Sequence, residues 1–185
     1  MGNAFVLPSQ ATTTDFGLND AVRNSATYAR LASSDFRTVV SDQTHVLGHL
    51  GNELFVVNKV DRSVTYYATY SPQKIVGLGS AAADFAAWRR AAPGIETISD
   101  IVLDHLLAEF DAVVSDTLYT DQGLSFWINC LGKAADGYGY GKACQAGYIK
   151  DGSPVFFPVG ADVYPLVHGI IQGDGRVPLF IAARR

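Results

Sequence analysis

A chain of 185 residues that is 48% hydrophobic and 17% charged is long enough to bury a core of its own and too apolar to remain disordered. Its net charge of −4 argues against a dominant electrostatic attraction to nucleic acid, and the basic pairs Arg89-Arg90 and Arg184-Arg185 read as a solvated helix end and a chain terminus. No apolar run reaches the roughly 18 residues of a membrane span. Met1 to Thr14 lacks the basic and apolar regions of a secretory signal, and Val6 stands where a myristoylation site carries Ser or Thr. The expectation is one cytoplasmic domain over residues 1–185, with neither a membrane nor a nucleic acid as partner.

In chain order, residues 1–20 are polar and turn-rich and read as a surface arm. Asn19 or Asp20 is placed to cap a helix running to about Ser33. From Phe36 to Tyr70 the chain turns β-branched and aromatic. Phe36 to Val40, His45 to Leu50, Glu53 to Val60 and Ser63 to Tyr70 read as the strands of a meander, with turns at Gly51-Asn52 and Asp61-Arg62. After Pro72 and the pair Gly77 and Gly79, the alanine-rich run from Ser80 to Arg90 reads as a helix capped by Ser80 and anchored by Phe85 and Trp88. Thr97 to Phe110 forms a second helix on the spacing of Ile98, Ile101, Val102, Leu106, Leu107 and Phe110.

Ala112 to Ser115 is a short buried strand. The clearest helix follows, since Leu124, Trp127, Ile128, Leu131, Ala134 and Ala135 share one stripe and Gly137 stands at its end. Lys142 to Ile149, Val155 to Val159 and Val177 to Ala183 read as strands, with a short helix at Ala161 to Gln172 that must take Pro165 near its start. Cys130 and Cys144 form no disulfide framework or metal pattern and are expected to be free thiols.

This order of elements resembles the GNAT superfamily of N-acetyltransferases, whose fold carries an antiparallel meander followed by a β-α-β-α-β core. The implied class is α/β (α+β), a single mixed sheet flanked by helices. Acetyl-CoA or another acyl-CoA is the implied cofactor, and a small-molecule or protein amine the acceptor. The family binds the cofactor pyrophosphate on backbone N–H groups between its fourth strand and the next helix. The stretch corresponding to that motif runs from Gln73 to Gly79, one residue longer than the family's spacing. Gln73, Gly77, Leu78, Gly79 and Ser80 are therefore the expected cofactor-binding residues, with glycines admitting the diphosphate and a helix N-terminus favouring it.

The passage from Ser115 to Trp127 is similar to the strand-to-helix step before the last core helix of acetyltransferase-like proteins, including phage and bacterial ones, and it places Asp116 at the carboxyl end of a core strand. The strand Ser63 to Tyr70 lacks the glutamate that many active members carry there. His49 and Glu53 are then the candidate bases, and Tyr138 or Tyr140 the candidate acid. That missing carboxylate also favours a second expectation, a non-catalytic binding or homo-oligomeric module of the same fold. Two rival constellations are weaker. His45 and His49 share a strand face, but the sequence shows no third ligand, so no metal is expected. Cys130, His168 and Asp162 could be assembled as a thiol hydrolase, but Cys130 lies inside a helix, away from the N-terminus that would activate it.

Overall fold

In the computed structural model, which describes residues 5–6, 14–89, 96–117, 121–137 and 140–184, Asp20 caps the first α-helix, α1 (Ala21–Ala32), by accepting a hydrogen bond from the Arg23 amide at 2.9 Å. The residues before it are more than a surface arm. Phe5–Val6 (β1) pairs with Trp88 and Arg89, and a 3-10 helix at Thr14–Asn19 buries Leu18 and offers the Asn19 side-chain oxygen to the Trp88 indole at 3.3 Å. One buried polar residue joins α1 to the sheet. Asn24 donates to the carbonyls of Leu18 and Val64 and accepts from the Val64 amide at 2.7 Å. These bonds fall beside an irregularity in strand pairing, where Val56 faces Tyr66 and the next residue, Val57, faces Val64.

The meander forms as its composition implies, in β2 (Arg37–Ser41), β3 (His45–Leu50), β4 (Glu53–Asn58) and β5 (Ser63–Ile75). β4 ends two residues early because the Asn58 side chain accepts the amides of Val60 and Asp61, which turns the chain before Asp61-Arg62. β5 in turn runs past Tyr70, through Pro72. Its pairing with β4 stops at Thr69, so the proline lies on a stretch that owes no hydrogen bond to that side.

The expected helix from Ser80 to Arg90 is instead a strand, β6 (Gly79–Arg89), antiparallel to β5. Alanine favours a helix, but this run is apolar on both faces, as a strand covered on both sides requires. Ala82, Phe85 and Ala87 pack into the main core, Ala81 and Ala83 into a separate cluster with Phe180 and Val114, and Trp88 against Leu18, Leu31 and Phe55. Asp84, at φ 52°, breaks the alternation. Small side chains let neighbouring layers approach a strand buried on both sides.

The second half follows the expected order: α2 (Glu96–Glu109), β7 (Ala112–Ser115), α3 (Asp121–Ala135), β8 (Cys144–Lys150), β9 (Ser153–Phe156), α4 (Val163–Asp174) and β10 (Leu179–Ala183). Pro165 occupies the first turn of α4, where its missing N–H has no intrahelical partner to lose. The result is one mixed sheet in the order β2-β3-β4-β5-β6-β7-β10-β8-β9, with β1 attached to β6. The β6–β7 pair is parallel, and each other pairing along this path is antiparallel. No described helix is long and apolar enough to cross a membrane.

Helices α2, α3 and α4 supply Val102, Leu103, Leu106, Trp127, Leu131 and Val167 to the main core, while α1 closes the other face of the meander. Ile101, expected on the buried face of α2, is 47% exposed, and Leu103 is buried in its stead. Trp127 is fully buried and meets Phe85 edge to face at 6.1 Å. Trp127→Ala should therefore destabilise the fold by about 3–5 kcal/mol, measured by urea unfolding with far-UV detection. A cost below about 1 kcal/mol would contradict this packing.

Candidate functional site

The glycine pair does not form the expected diphosphate cradle. Gly77 and Gly79, at φ 82° and 89°, turn the β5–β6 hairpin, and Ser80 lies in a strand and caps no helix. The amides there are already engaged. Leu78 N–H donates to the Ile75 carbonyl at 3.1 Å and Ser80 N–H to an Asp111 carboxylate oxygen at 2.9 Å. A diphosphate would lose those donors and meet a negative charge. Gln73 is likewise turned to a partner within the hairpin, donating to Asp84 at 3.0 Å. Gly77, Leu78 and Gly79 do line a cleft of about 780 Å³ with Lys74, Gln145 and Phe156. Without a helix N-terminus it lacks the feature that motivated the assignment.

The candidate bases separate onto opposite faces of the sheet. Glu53 lies beside the α1 side, where the Tyr67 hydroxyl donates to it and Arg30 stands 4.0 Å away. His49 lies on the α2 side. Tyr140 is buried in the main core and donates to the Cys130 carbonyl at 3.2 Å, and burial drives its hydroxyl far above the usual tyrosine range. It is a packing residue and a poor acid. Tyr138 lies outside the described residues. Asp116 directly follows β7, as expected of a residue at the carboxyl end of that strand.

His49 has company that the sequence did not reveal. Its Nε2 lies 2.6 Å from Nε2 of His105 on α2, and that same His105 atom lies 3.7 Å from the Glu109 carboxylate one turn further on. The Tyr70 hydroxyl stands 3.4 Å from His49 Nδ1, and Phe110 packs edge-on against the Tyr70 ring. The ligand atoms of His49, His105 and Glu109 all lie within 4.8 Å of one another. His45 shares their strand face but sits four residues along β3, about 13 Å away at the strand rise. The readable signal was the i, i+4 spacing of His105 and Glu109 on an expected helix.

Burial is the main reason both imidazoles titrate below their ordinary 6.5; for His49 the neighbouring His105 adds to the lowering and Glu109 opposes it. Burial, followed by the Glu109 charge, raises the Tyr70 hydroxyl. The cluster is therefore two neutral imidazoles, a neutral phenol and one carboxylate. Such an arrangement can accept a proton or bind a cation.

The thiol-hydrolase set does not assemble from free groups. Cys130 is buried within α3, Asp162 caps α4 at the Tyr164 amide, and His168 packs on the Tyr164 ring at 4.4 Å. Comparison with protein-family models, with curated proteins and with solved structures finds no match for this chain.

Lowered imidazole values carry a pH signature. Near pH 6.5 the unfolded chain binds protons that the folded cluster refuses, so this contribution to stability is complete above 6.5 and is lost as pH falls towards the lowered folded-state values. Asp42, held low by the amides of His45 and Thr44, loses its own contribution only below 3.8, in a separate window. The melting temperature should thus fall between about pH 7.5 and 5.5, and fall less in a His49→Gln, His105→Gln double variant. An equal fall in both proteins would remove the cluster from the explanation.

Proposed function

We propose that this chain is an acyl-CoA-dependent N-acyltransferase of the GNAT type, with its cofactor site at the junction of β6 and α2 and not at the β5–β6 hairpin. The observation that carries this reading is the parallel pair β6 and β7 joined by α2. The chain from β6 through α2, β7 and α3 to β8 has the β-α-β-α-β order that the resemblance implies.

The crossover connections place the starts of α2 and α3 beyond the carboxyl ends of β6 and β7, the edge of a parallel sheet where ligands settle. Pairing of β6 with β7 stops at Phe85 and Ser115, while β6 continues to Arg89. Beyond Phe85 that edge of β6 is taken by β1, which pairs with Trp88 and Arg89, so the carboxyl end of β7 faces β1 across a short unpaired step. Ser99, one turn into α2, is buried with a hydroxyl that has no hydrogen-bond partner, which supports a polar ligand near that helix start. In sequence the connection Arg90-Ala91-Ala92-Pro93-Gly94-Ile95, outside the described residues, carries one cation and one glycine. Helix N-termini and backbone amides suit a diphosphate without a basic surface.

Bound acyl-CoA would supply an activated thioester to an amine acceptor. The chain's own residues would hold the diphosphate at the start of α2 and position the acyl arm along β6. With β6 as the last meander strand, the position that looked empty in Ser63 to Tyr70 shifts to a strand carrying exposed Asp84. Asp84 is then a candidate base.

The second reading, a non-catalytic binding module, is favoured by one observation. Glu53, His49 and Tyr140 each engage other groups, and the two bases lie on opposite faces. Calorimetry with acetyl-CoA tests the cofactor site. Binding should be detectable below about 1 mM. Arg90→Glu should weaken it about tenfold or more, a loss of one charge-assisted contact. Gln73→Ala, on the hairpin, should leave it unchanged. No binding by the wild type at that concentration overturns the acyl-CoA reading, and binding without acetyl transfer to any amine acceptor favours the module.

A further inference from the structure

We propose that His49, His105 and Glu109 form a binding site for one divalent cation of the zinc type, with Tyr70 as the outer partner that orients His49. The site is independent of the acyl-CoA reading. It joins β3 to α2, away from the β6–α2 junction.

Three observations carry it. The donor set is two imidazoles and one carboxylate, the set that open, three-ligand zinc sites use. The donor atoms already converge within 4.8 Å. The two helical ligands are one turn apart on α2, so their spacing is fixed by a rigid element and only His49 comes from elsewhere.

Metal ligands must be neutral imidazoles. With no cation, the two Nε2 atoms at 2.6 Å can share only one proton, so one ring donates and the other accepts. A cation takes both Nε2 lone pairs once that proton has moved to Nδ1 of the ring that carried it, so both ligands stay neutral imidazoles. The Tyr70 hydroxyl at 3.4 Å can accept from His49 Nδ1–H, which directs the His49 Nε2 lone pair towards the cluster.

Two features oppose the site. Tetrahedral zinc with bonds near 2.05 Å separates two nitrogens by roughly 3.3 Å, so the imidazoles must part by about 0.7 Å. His105 can supply this by a small rotation about its own side chain. Arg37, opposite His49 in the β2–β3 ladder, adds positive charge, which Glu109 offsets. The Glu109 side chain is 42% exposed, so an ion can reach the cluster from solvent.

The test uses full-length protein purified without a metal-affinity step, stripped with chelator and titrated with zinc chloride, with cobalt substitution as a spectroscopic check of tetrahedral nitrogen and oxygen coordination. One ion per chain should bind, and the thermal midpoint should rise with zinc. Glu109→Gln and His105→Gln should each weaken binding at least about tenfold. His45→Gln and His168→Gln should bind as the wild type does. Glu109 lies at the surface and its variant should fold, so it decides the matter even if a histidine variant does not. Absence of saturable binding up to about 1 mM zinc, or Glu109→Gln binding as tightly as the wild type, overturns the site.

Discussion

β5 and β6 pair from Tyr66 opposite Arg89 down to Ile75 opposite Gly79, and every other strand of the sheet hangs from one edge or the other of that ladder. β4 and β7 occupy its two outer edges at different heights, and β1 takes the β6 edge beyond β7. β4 reaches along β5 only as far as Thr69, which faces Ala86, whereas β7 lies along β6 only as far as Phe85. The meander and the parallel half of the sheet are therefore staggered, with almost no row in common. The stagger brings the carboxyl end of β7 level with the first rows of the meander and leaves the Gly51-Asn52 end of the meander to be crossed by α2. Both candidate sites follow from this offset, one beyond β7 and the other beneath the last turn of α2.

The sheet also decides which polar groups can cooperate. Period-two alternation sends His49 with Leu47 to the α2 face and Glu53 with Phe55 to the α1 face, so two residues close in sequence cannot act on one substrate atom. On the α2 face, His49 meets His105 and Glu109, which are 56 and 60 positions away in the chain. On the α1 face, buried Asn24 satisfies both polar groups of Val64 at the place where the strand pairing is irregular. Each face is thus tied to its helix by polar contacts within a largely apolar layer, with Arg30 standing 4.0 Å from Glu53 on the α1 face.

Most of the elements were legible because their periodicity agreed with their environment. The stripe of Leu124, Trp127, Ile128 and Leu131, the β-branched meander and the cap at Asp20 are local signals that tertiary packing reinforces. Ser80 to Arg90 was misread because alanine's intrinsic preference and the run's surroundings disagree, and a strand covered on both faces shows no alternation to betray it. That single misreading put an expected helix N-terminus where the chain forms a hairpin, and concealed Asp84 within a strand. The histidine cluster was legible only in halves. His49 was singled out on β3, and the His105 and Glu109 spacing was present on a recognised helix, but their meeting depends on how α2 crosses the sheet, which no local pattern encodes.

The alanine run of β6 has a consequence for the order in which the chain assembles. An isolated segment of this composition gains more from intrachain turns than from an extended form, so the unfolded ensemble is biased towards transient helix between Ser80 and Arg90. Extension becomes favourable only when β5 is available on one side and apolar layers close over both faces. Extension of the strand at the centre of the sheet is thus coupled to the closing of its neighbours, and the local preference of the run works against it. A more β-prone β6 would be expected to fold sooner, and the bulk of its side chains would then hold the packed layers apart.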